Sequence, residues 1–162
     1  MDNDVIIIGV DPGLSKTGYG IVARRRGELS YIASGVISTS SRKSFPLRIK
    51  KIYRELREIL KEYNPGVMVV EEAIYVRNAK TALMLGQARG VILLAAIESG
   101  LVVKEFSPAK IKVAVVGNGS ATKEQVNYMV ANILGLKGKN LTHDETDALA
   151  GAICYLFQNE RR

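Results

Sequence analysis

Apolar residues occur along the chain in two patterns, short continuous runs and longer segments in which they recur every three or four positions. The short runs are rich in β-branched residues, as in Val5–Val10 and Val67–Val70, and such runs are typical of strands buried on both faces of a sheet. Strands are predicted at residues 5–10, 18–23, 28–38, 67–70 and 101–106. Because only short turn-forming segments separate the first three strands, these strands are expected to form an antiparallel meander.

The longer segments predict helices. Between Ile49 and Tyr63 the apolar residues form one stripe of an amphipathic helix, and Asn64-Pro65-Gly66 ends this helix. Further helices are predicted at residues 77–99, from 108 to the break at 117–120, at 122–134 and at 143–158. The resulting order β-β-β-α-β-α-β-α-α-α predicts an α/β fold in which helices cover the faces of a mixed sheet.

Length and composition indicate one globular domain. The 162 residues fit a single domain, 1–162, with a sizeable core. Uncharged stretches fall short of the roughly 18 apolar residues that a membrane span needs, and the acidic start Met-Asp-Asn-Asp is unlike a secretory signal. Cys154 is the single cysteine and cannot form an internal disulfide, so a cytoplasmic location is expected. The net charge of +7 is compatible with a polyanionic partner, nucleic acid first.

Acidic residues follow two predicted strands and begin the last predicted helix, which are positions where open α/β sheets place their sites. These residues are Asp11, Glu71, Glu72, Asp144 and Asp147. Two carboxylates about 4 Å apart repel by roughly 4 kcal/mol at an effective dielectric constant of 20, so a cluster requires shared protons or a divalent cation. Oxygen ligands favour Mg²⁺ or Mn²⁺ over zinc. An acidic metal pocket in a basic protein is typical of a metal-dependent nuclease.

Each acidic segment also has an ordinary structural interpretation. Asp11, which precedes a Pro-Gly pair, suits any turn, and the Glu71-Glu72 pair suits a solvated strand end. A capping-box pattern begins at Thr142, so Asp144 suits the first turn of a helix. Asp147 adjoins an apolar run, which favours a functional role. The joint occurrence of all the acids in this order supports the nuclease hypothesis.

Short motifs occur in a characteristic order along nearly the whole chain. The two most specific are Leu85-Gly86-Gln87-Ala88-Arg89-Gly90 and Asp144-x-x-Asp147-Ala148-Leu149-Ala150. The other motifs lie at residues 9–13, 17–20, 70–71, 78–79, 82–84 and 115–121. In these motifs the chain resembles the RuvC family of Holliday-junction resolvases.

The resemblance implies an RNase H-like fold, in which helices flank a five-stranded mixed sheet. It implies a homodimer that binds a four-way DNA junction and nicks two symmetry-related strands, in homologous recombination and DNA repair. Asp11, Glu71, Asp144 and Asp147 match the family's acidic positions, which implies that they are catalytic residues and bind Mg²⁺, for which Mn²⁺ substitutes. The implied partners are the branch-migration proteins RuvA and RuvB.

The resemblance also indicates residues that contact DNA. Lys112 and Lys123 match family positions for basic residues near the DNA, where they would neutralise phosphates; solvated lysines on helices are the alternative. Further candidates are Arg77, Lys80, Arg89 and a basic helix face formed by Arg48, Lys50, Lys51 and Arg54.

Three positions depart from the family pattern. Where the family usually has an aromatic residue after the fourth strand, this chain has Ile74 followed by Tyr75, and Tyr75 could stack on a base or simply pack. Some members have histidine at the first acidic position of the final motif; here His143 comes one residue earlier and is expected to begin the helix. Glu72 stands where glutamine is common and should point away from Glu71 on a strand.

Two further expectations concern the backbone and the dimer. Gly13, Gly18 and Gly20 are expected to permit a positive φ or the close approach of a phosphate near Asp11, although a plain hairpin is the alternative. The apolar residues of segment 77–99 exceed one helix face, so this segment is either the dimer contact or a central core helix.

Three other functions are alternatives to this interpretation of the sequence. An RNase H-like RNA-processing nuclease would keep the acids and change the substrate. Actin-like ATPases and sugar kinases share an Asp-x-Gly opening, but they need a duplicated domain and a second phosphate loop. In a catalytically silent DNA-binding module, the four matching acids would be coincidental.

Overall fold

The computed structural model describes residues 4–72 and 76–159, and this part of the chain forms one sheet flanked by helices. The strands are β1 (Val5–Asp11), β2 (Lys16–Arg25), β3 (Glu28–Ser38), β4 (Val67–Glu71) and β5 (Val102–Phe106). The helices are α1 (Phe45–Tyr63), α2 (Ala79–Glu98), α3 (Pro108–Val116), α4 (Lys123–Ile133) and α5 (His143–Asn159). The predicted elements and their order are confirmed, and most ends lie within two residues of the prediction.

The sheet is mixed, as predicted, and has the strand order β3-β2-β1-β4-β5. β1, β2 and β3 pair antiparallel in a meander, whereas β4 lies parallel to β1 and to β5. In the parallel pair Val10 lies beside Val70. The residues that follow them, Asp11 and Glu71, therefore lie at the same edge of the sheet.

Helices cover both faces of the sheet, and each face has its own hydrophobic core. On one face Ile8, Ile21 and Met68 pack against α1 and α2. On the other face Ile7 and Val69 pack against α3, α4 and α5. The central strands are thus buried on both faces, which explains their continuous apolar runs.

Glycines on β1 and β2 allow α5 to approach the sheet closely. A Cβ atom at Gly9 would overlap the carbonyl oxygen of Ala148, and one at Gly18 would overlap that of Asp144. Among the described residues, those with positive φ do not include Gly13, Gly18 or Gly20, so the prediction of a positive φ there is wrong. The absence of a side chain at Gly18 serves helix packing, and it places the first turn of α5 directly over the end of β1.

α2 combines a buried face with an exposed apolar face. Ala88, Ile92, Ala95 and Ala96 are buried against the sheet, so this helix is a core helix. Large apolar residues on its other side are exposed, among them Leu83 and Ile97. Within the described residues, α2 is also a helix long and apolar enough to cross a membrane by length and composition, a criterion that core helices of soluble proteins meet as well.

Candidate active site

Two neighbouring strands and one helix bring the acidic residues together. Asp11 ends β1 and Glu71 ends β4, and both side chains are partly buried. Asp144 and Asp147 lie in the first two turns of α5, which packs across β1 and β2. Segments that are far apart in the sequence therefore meet at the carboxyl ends of the parallel strands, as α/β sheets favour.

The first turn of α5 is held by its own cap and by β3. The backbone N–H of Glu145 donates to Thr142 Oγ1 (3.2 Å), and Glu145 Oε2 accepts from the backbone N–H of Thr142 (2.9 Å). This pair is the capping box that the sequence predicts. Ser34 on β3 donates to Glu145 Oε1 at 2.8 Å, so the helix start is also tied to the sheet. Asp144 and Asp147 lie on either side of this braced residue.

A cavity of about 380 Å³ opens between β1, β4, α3, α4 and α5. Asp11, Glu71 and Asp147 line this cavity together with Lys112 of α3 and Lys123 of α4. Three of the four predicted metal ligands and both predicted phosphate-neutralising lysines thus share one space. Their catalytic and binding roles stay predictions.

The electrostatics of Asp11 show how closely the acids are grouped. Burial and, after it, the negative charges of Asp147, Glu71 and Asp144 raise the pKa of Asp11 to about 7, against the opposing effect of Lys123. Asp144 is outside the cavity lining, yet its charge acts on Asp11, so it belongs to the same cluster. At neutral pH the Asp11 carboxyl is therefore only partly ionised in the protein without a cation.

The other carboxylates of the cavity have raised pKa values for the same reasons. Burial raises the pKa of Glu71 most, Asp147 raises it further, and three cations led by Lys112 oppose the shift. Burial also raises the pKa of Asp147, although Lys123 and His143 lower it. Because the cluster is short of positive charge, an added cation would stabilise the ionised form of each acid.

The donor set fits a hard divalent cation. Its members offer carboxylate oxygens, which Mg²⁺ prefers, and the cavity has room for an ion with some of its water shell and a phosphate. Within residues 4–72 and 76–159, however, no three Asp, Glu, His or Cys side chains are already gathered around one point as metal ligands. Mutual repulsion of ionised carboxylates favours such spacing.

His143 is the first residue of α5, as predicted, and it is exposed. Its Nδ1 lies 2.9 Å from the amide Nδ2 of Asn127 on α4. This contact joins the start of α5 to the helix that carries Lys123. The sequence gives no sign of the contact, because Asn127 lies in a different segment with an ordinary helical pattern.

Glu72 lies directly after the last residue of β4. β4 ends at Glu71, so the strand alternation does not extend to Glu72, and both residues line a smaller cavity of about 200 Å³ beside the first. The expectation that the two side chains point apart stays a prediction. Asp11 and Arg89 line this second cavity as well.

The predicted DNA-contacting residues fall into separate groups. Arg77 and Lys80 are exposed at the start of α2, apart from the cavity lining. Tyr75 and Ile74 lie outside the described residues. Of the predicted basic face of α1, Lys50, Lys51 and Arg54 are exposed.

The prediction that Arg48 belongs to this exposed basic face is wrong. Only 8% of Arg48 is exposed, and its guanidinium donates to Thr39 Oγ1 (2.9 Å) and to Ser15 Oγ (3.0 Å). The spacing contains a signal for this burial, because Arg48 lies four residues before Ile52 on the buried stripe. Arg48 braces the loop that follows Asp11 instead of facing solvent.

Comparison with known proteins identifies the family. The family model described as crossover junction endodeoxyribonuclease RuvC matches residues 7–155. A crossover junction endodeoxyribonuclease RuvC from Syntrophomonas wolfei is 46% identical over 150 residues, which cover 93% of this chain and 87% of that protein. Another from Citrifermentans bemidjiense is 44% identical over 165 residues, covering 97% of this chain and 100% of that protein.

A solved structure agrees with this assignment. Thermus thermophilus RuvC in complex with Holliday junction substrate superimposes with a TM-score of 0.91 at 33% sequence identity, covering 97% of this chain and 96% of that chain. The expected RNase H-like fold is thereby confirmed, together with the nuclease class. The chain belongs to the RuvC family of crossover junction endodeoxyribonucleases, the enzymes that resolve Holliday junctions.

Proposed function

We propose that this junction endonuclease cuts DNA with Mg²⁺, or with Mn²⁺ in its place, held by Asp11, Glu71, Asp144 and Asp147. One observation carries the proposal: acids from β1, β4 and α5 converge on a single cavity and raise one another's pKa values. When bound, the cation would activate water for in-line attack on a phosphodiester and stabilise the leaving oxygen. The protein's own side chains would hold the cation and neutralise the phosphate.

The residues of the cavity have distinct tasks in this proposal. Asp11 must lose its proton before its carboxylate can bind a cation, and a pKa of about 7 lets this happen near neutral pH. Lys112 and Lys123 line the same cavity, where their charges would neutralise the scissile phosphate. The brace between Ser34 and Glu145 would keep the Asp144 turn in place.

The proposed substrate is a four-way DNA junction, cut symmetrically. The Thermus thermophilus relative was solved with a Holliday junction substrate, and this chain has the same fold at 33% identity. The excess of positive charge supports binding to a large nucleic acid. We propose that Arg77 and Lys80 contact a junction arm, and that Tyr75, or Ile74 beside it, contacts the crossover.

A second copy of the chain is the proposed occupant of the exposed face of α2. The exposed residues of this face recur every three or four positions and are Leu83, Gly86, Gly90, Leu94 and Ile97. A Cβ atom at Gly86 or Gly90 would meet open space, so a partner helix could approach the backbone closely. A two-fold dimer would also match the two-fold symmetry of a four-way junction.

The cellular setting follows from the family resemblance. We propose that the protein acts as a single domain in the cytoplasm, where chromosomal DNA is accessible in bacteria. RuvA and RuvB are the proposed partners, because a resolvase needs a junction that has been formed and moved.

The test is cleavage of a synthetic four-way junction, run beside a linear duplex and a structured RNA of similar length. We expect Mg²⁺-dependent nicks at symmetric positions in two strands of the junction and little cutting of either control. Equal cleavage of the RNA would favour the RNA-processing alternative. Symmetric cleavage that persists in EDTA would contradict the metal-dependent mechanism.

A further inference from the structure

Arg89 on α2 bridges the ends of two strands beside the acidic cluster. Its Nη1 donates to the backbone carbonyl oxygen of Glu71 at 2.6 Å. Its Nη2 lies 3.0 Å from Glu105 Oε1 on β5. The guanidinium therefore connects a helix, the last residue of β4 and the neighbouring strand through a single planar group.

The bridge is largely shielded from solvent. The side chain of Arg89 is 13% exposed, whereas that of Glu105 is 45% exposed. Nη1 makes a hydrogen bond, whereas Nη2 is buried and contacts Glu105 as an ion pair without forming a hydrogen bond. A planar guanidinium that contacts two separate oxygens restricts orientation more than a point charge does.

The bridge restrains the backbone at the end of β4. β4 ends at Glu71, and directly beyond it the backbone N–H of Glu72 donates to the Phe106 carbonyl oxygen of β5 at 2.9 Å. Arg89 binds the carbonyl oxygen of Glu71, which belongs to the same peptide unit as the Glu72 N–H. Glu71 carries both this carbonyl and a carboxylate that lines the acidic cavity, so the guanidinium opposes a backbone displacement that would move the carboxylate.

We propose that Arg89 is a positioning residue for Glu71, anchored by Glu105, and that it sets how readily the acidic cluster accepts a divalent cation. The inference rests on the proposed role of Glu71 as a metal ligand. Arg89 itself touches neither the cation nor the DNA. Partners that orient metal ligands commonly change metal affinity or activity by 10–100-fold when they are removed.

The experiment compares Arg89→Ala, Arg89→Lys and Glu105→Gln with the unmodified protein. Lys104→Ala is the matched control, because Lys104 is an exposed neighbour of Glu105 on the same strand. Three quantities are measured: the Mg²⁺ concentration for half-maximal junction cleavage, the rise in melting temperature on adding Mg²⁺ without DNA, and junction affinity in EDTA. The second readout reports on cation binding independently of catalysis.

For Arg89→Ala we expect the half-maximal Mg²⁺ concentration to rise about tenfold and the Mg²⁺-induced melting shift to shrink. Junction affinity in EDTA should stay within about threefold of the unmodified protein, since the DNA contacts are elsewhere. Arg89→Lys should be intermediate, because an ammonium keeps the charge without the two-pronged geometry. Glu105→Gln should shift in the same direction by less, and Lys104→Ala should not shift.

Several results would overturn the inference. Arg89→Ala and Arg89→Lys with unchanged Mg²⁺ dependence would show that Glu71 needs no such support. A loss of junction affinity as large as the loss of cleavage would make Arg89 a DNA contact. If Arg89→Ala fails to fold, Arg89→Lys and Glu105→Gln test the proposal in its place. Unchanged Mg²⁺ dependence in both of these variants refutes it.

A Glu71 variant distinguishes failure of the proposed metal-dependent cleavage from failure of the positioning role of Arg89. Glu71→Gln is expected to abolish cleavage while junction binding survives. If Glu71→Gln cuts the junction normally, the proposed function of the site is wrong, whatever Arg89 does. If Glu71→Gln is inactive and the Arg89 variants behave normally, only the positioning role is refuted.

Discussion

At the scale of single residues, the central fact is a partly buried aspartate among other acids. Burial and three neighbouring carboxylates raise the pKa of Asp11 to about 7, so the folded protein binds a proton that the unfolded chain releases near pH 4. In the absence of a cation, the contribution of Asp11 to stability therefore falls as the pH rises from 4 to 7. The loss is complete above the folded-state pKa.

Asp11→Asn should consequently raise the melting temperature of the cation-free protein at pH 8 and have little effect at pH 4. The gain at pH 8 has an upper bound of about 4 kcal/mol, since one pKa unit corresponds to about 1.4 kcal/mol. Adding Mg²⁺ should reverse the order, because the unmodified cluster gains a cation that the variant binds poorly. Thermal melts at both pH values, with EDTA or with millimolar Mg²⁺, measure all four cases.

A higher cation-free stability of the unmodified protein at pH 8 would contradict the electrostatic account of Asp11. A change of equal size at pH 4 and pH 8 would indicate altered packing instead of titration. The cleavage assay gives an independent check, since Asp11→Asn should be inactive while still binding the junction.

At the scale of secondary-structure elements, the placement of α5 depends on missing side chains. Gly18 of β2 lies under the backbone of Asp144, and no Cβ atom fits there unless the helix moves. The same contact that packs the core thus determines how close Asp144 and Asp147 come to Asp11. Helix packing and the proposed catalytic site therefore depend on the same contact.

Gly18→Ala should lower the free energy of unfolding by roughly 1–3 kcal/mol, as overpacking of a close contact does. It should also weaken Mg²⁺-dependent cleavage, because α5 is pushed away from β1. Gly66→Ala is the matched control, since a Cβ atom at Gly66 meets nothing within 4 Å and its φ lies outside the left-handed region. Urea unfolding with EDTA present measures the stability change; equal stability of the two variants would argue against the close contact.

The exposed face of α2 gives the second prediction at this scale. Leu83→Glu should shift the dimer to monomer, because it places a charge in an apolar interface. Tyr128→Glu on α4 is the control, since Tyr128 and Leu83 are both 66% exposed and only Leu83 lies on α2. Sedimentation velocity at micromolar concentration distinguishes the two states. A dimer that persists in Leu83→Glu and dissociates in Tyr128→Glu would move the interface to α4.

At the scale of the whole molecule, charge is unevenly arranged. The chain carries a net charge of +7, yet its cavity gathers acids, and Lys112 and Lys123 lie among them. In the proposed function, the excess of positive charge would attract the DNA, and the acidic centre would need a cation before a phosphate could enter. The two lysines would reduce the repulsion between that centre and the phosphate.

Lys123→Ala should weaken junction binding and reduce the slope of log affinity against log salt by about 1, the loss of one phosphate contact. Lys61→Ala is the matched control, because Lys61 is exposed near the end of α1, where the chain leads into the start of β4 at the opposite edge of the sheet. Binding is measured in EDTA by fluorescence anisotropy over a range of salt concentrations. An unchanged slope for Lys123→Ala would place this lysine outside the DNA contact.

The sequence alone determined the order of strands and helices, the order of the acidic motifs and the family resemblance. Local physics explains this success, because apolar periodicity, Pro-Gly breaks and the capping box at Thr142 act over a few residues. The buried position of Arg48 could also have been predicted from the sequence, because its spacing matches the buried stripe through Ile52.

Only the tertiary structure decided which distant groups meet. The overlap that Gly18 avoids, the pairing of His143 with Asn127 and the bridge from Arg89 to Glu71 each join segments separated by 16 or more residues. Such contacts depend on strand register and helix packing, which no local pattern encodes. The raised pKa of Asp11 has the same origin, because burial and repulsion exist only after β1, β4 and α5 have come together.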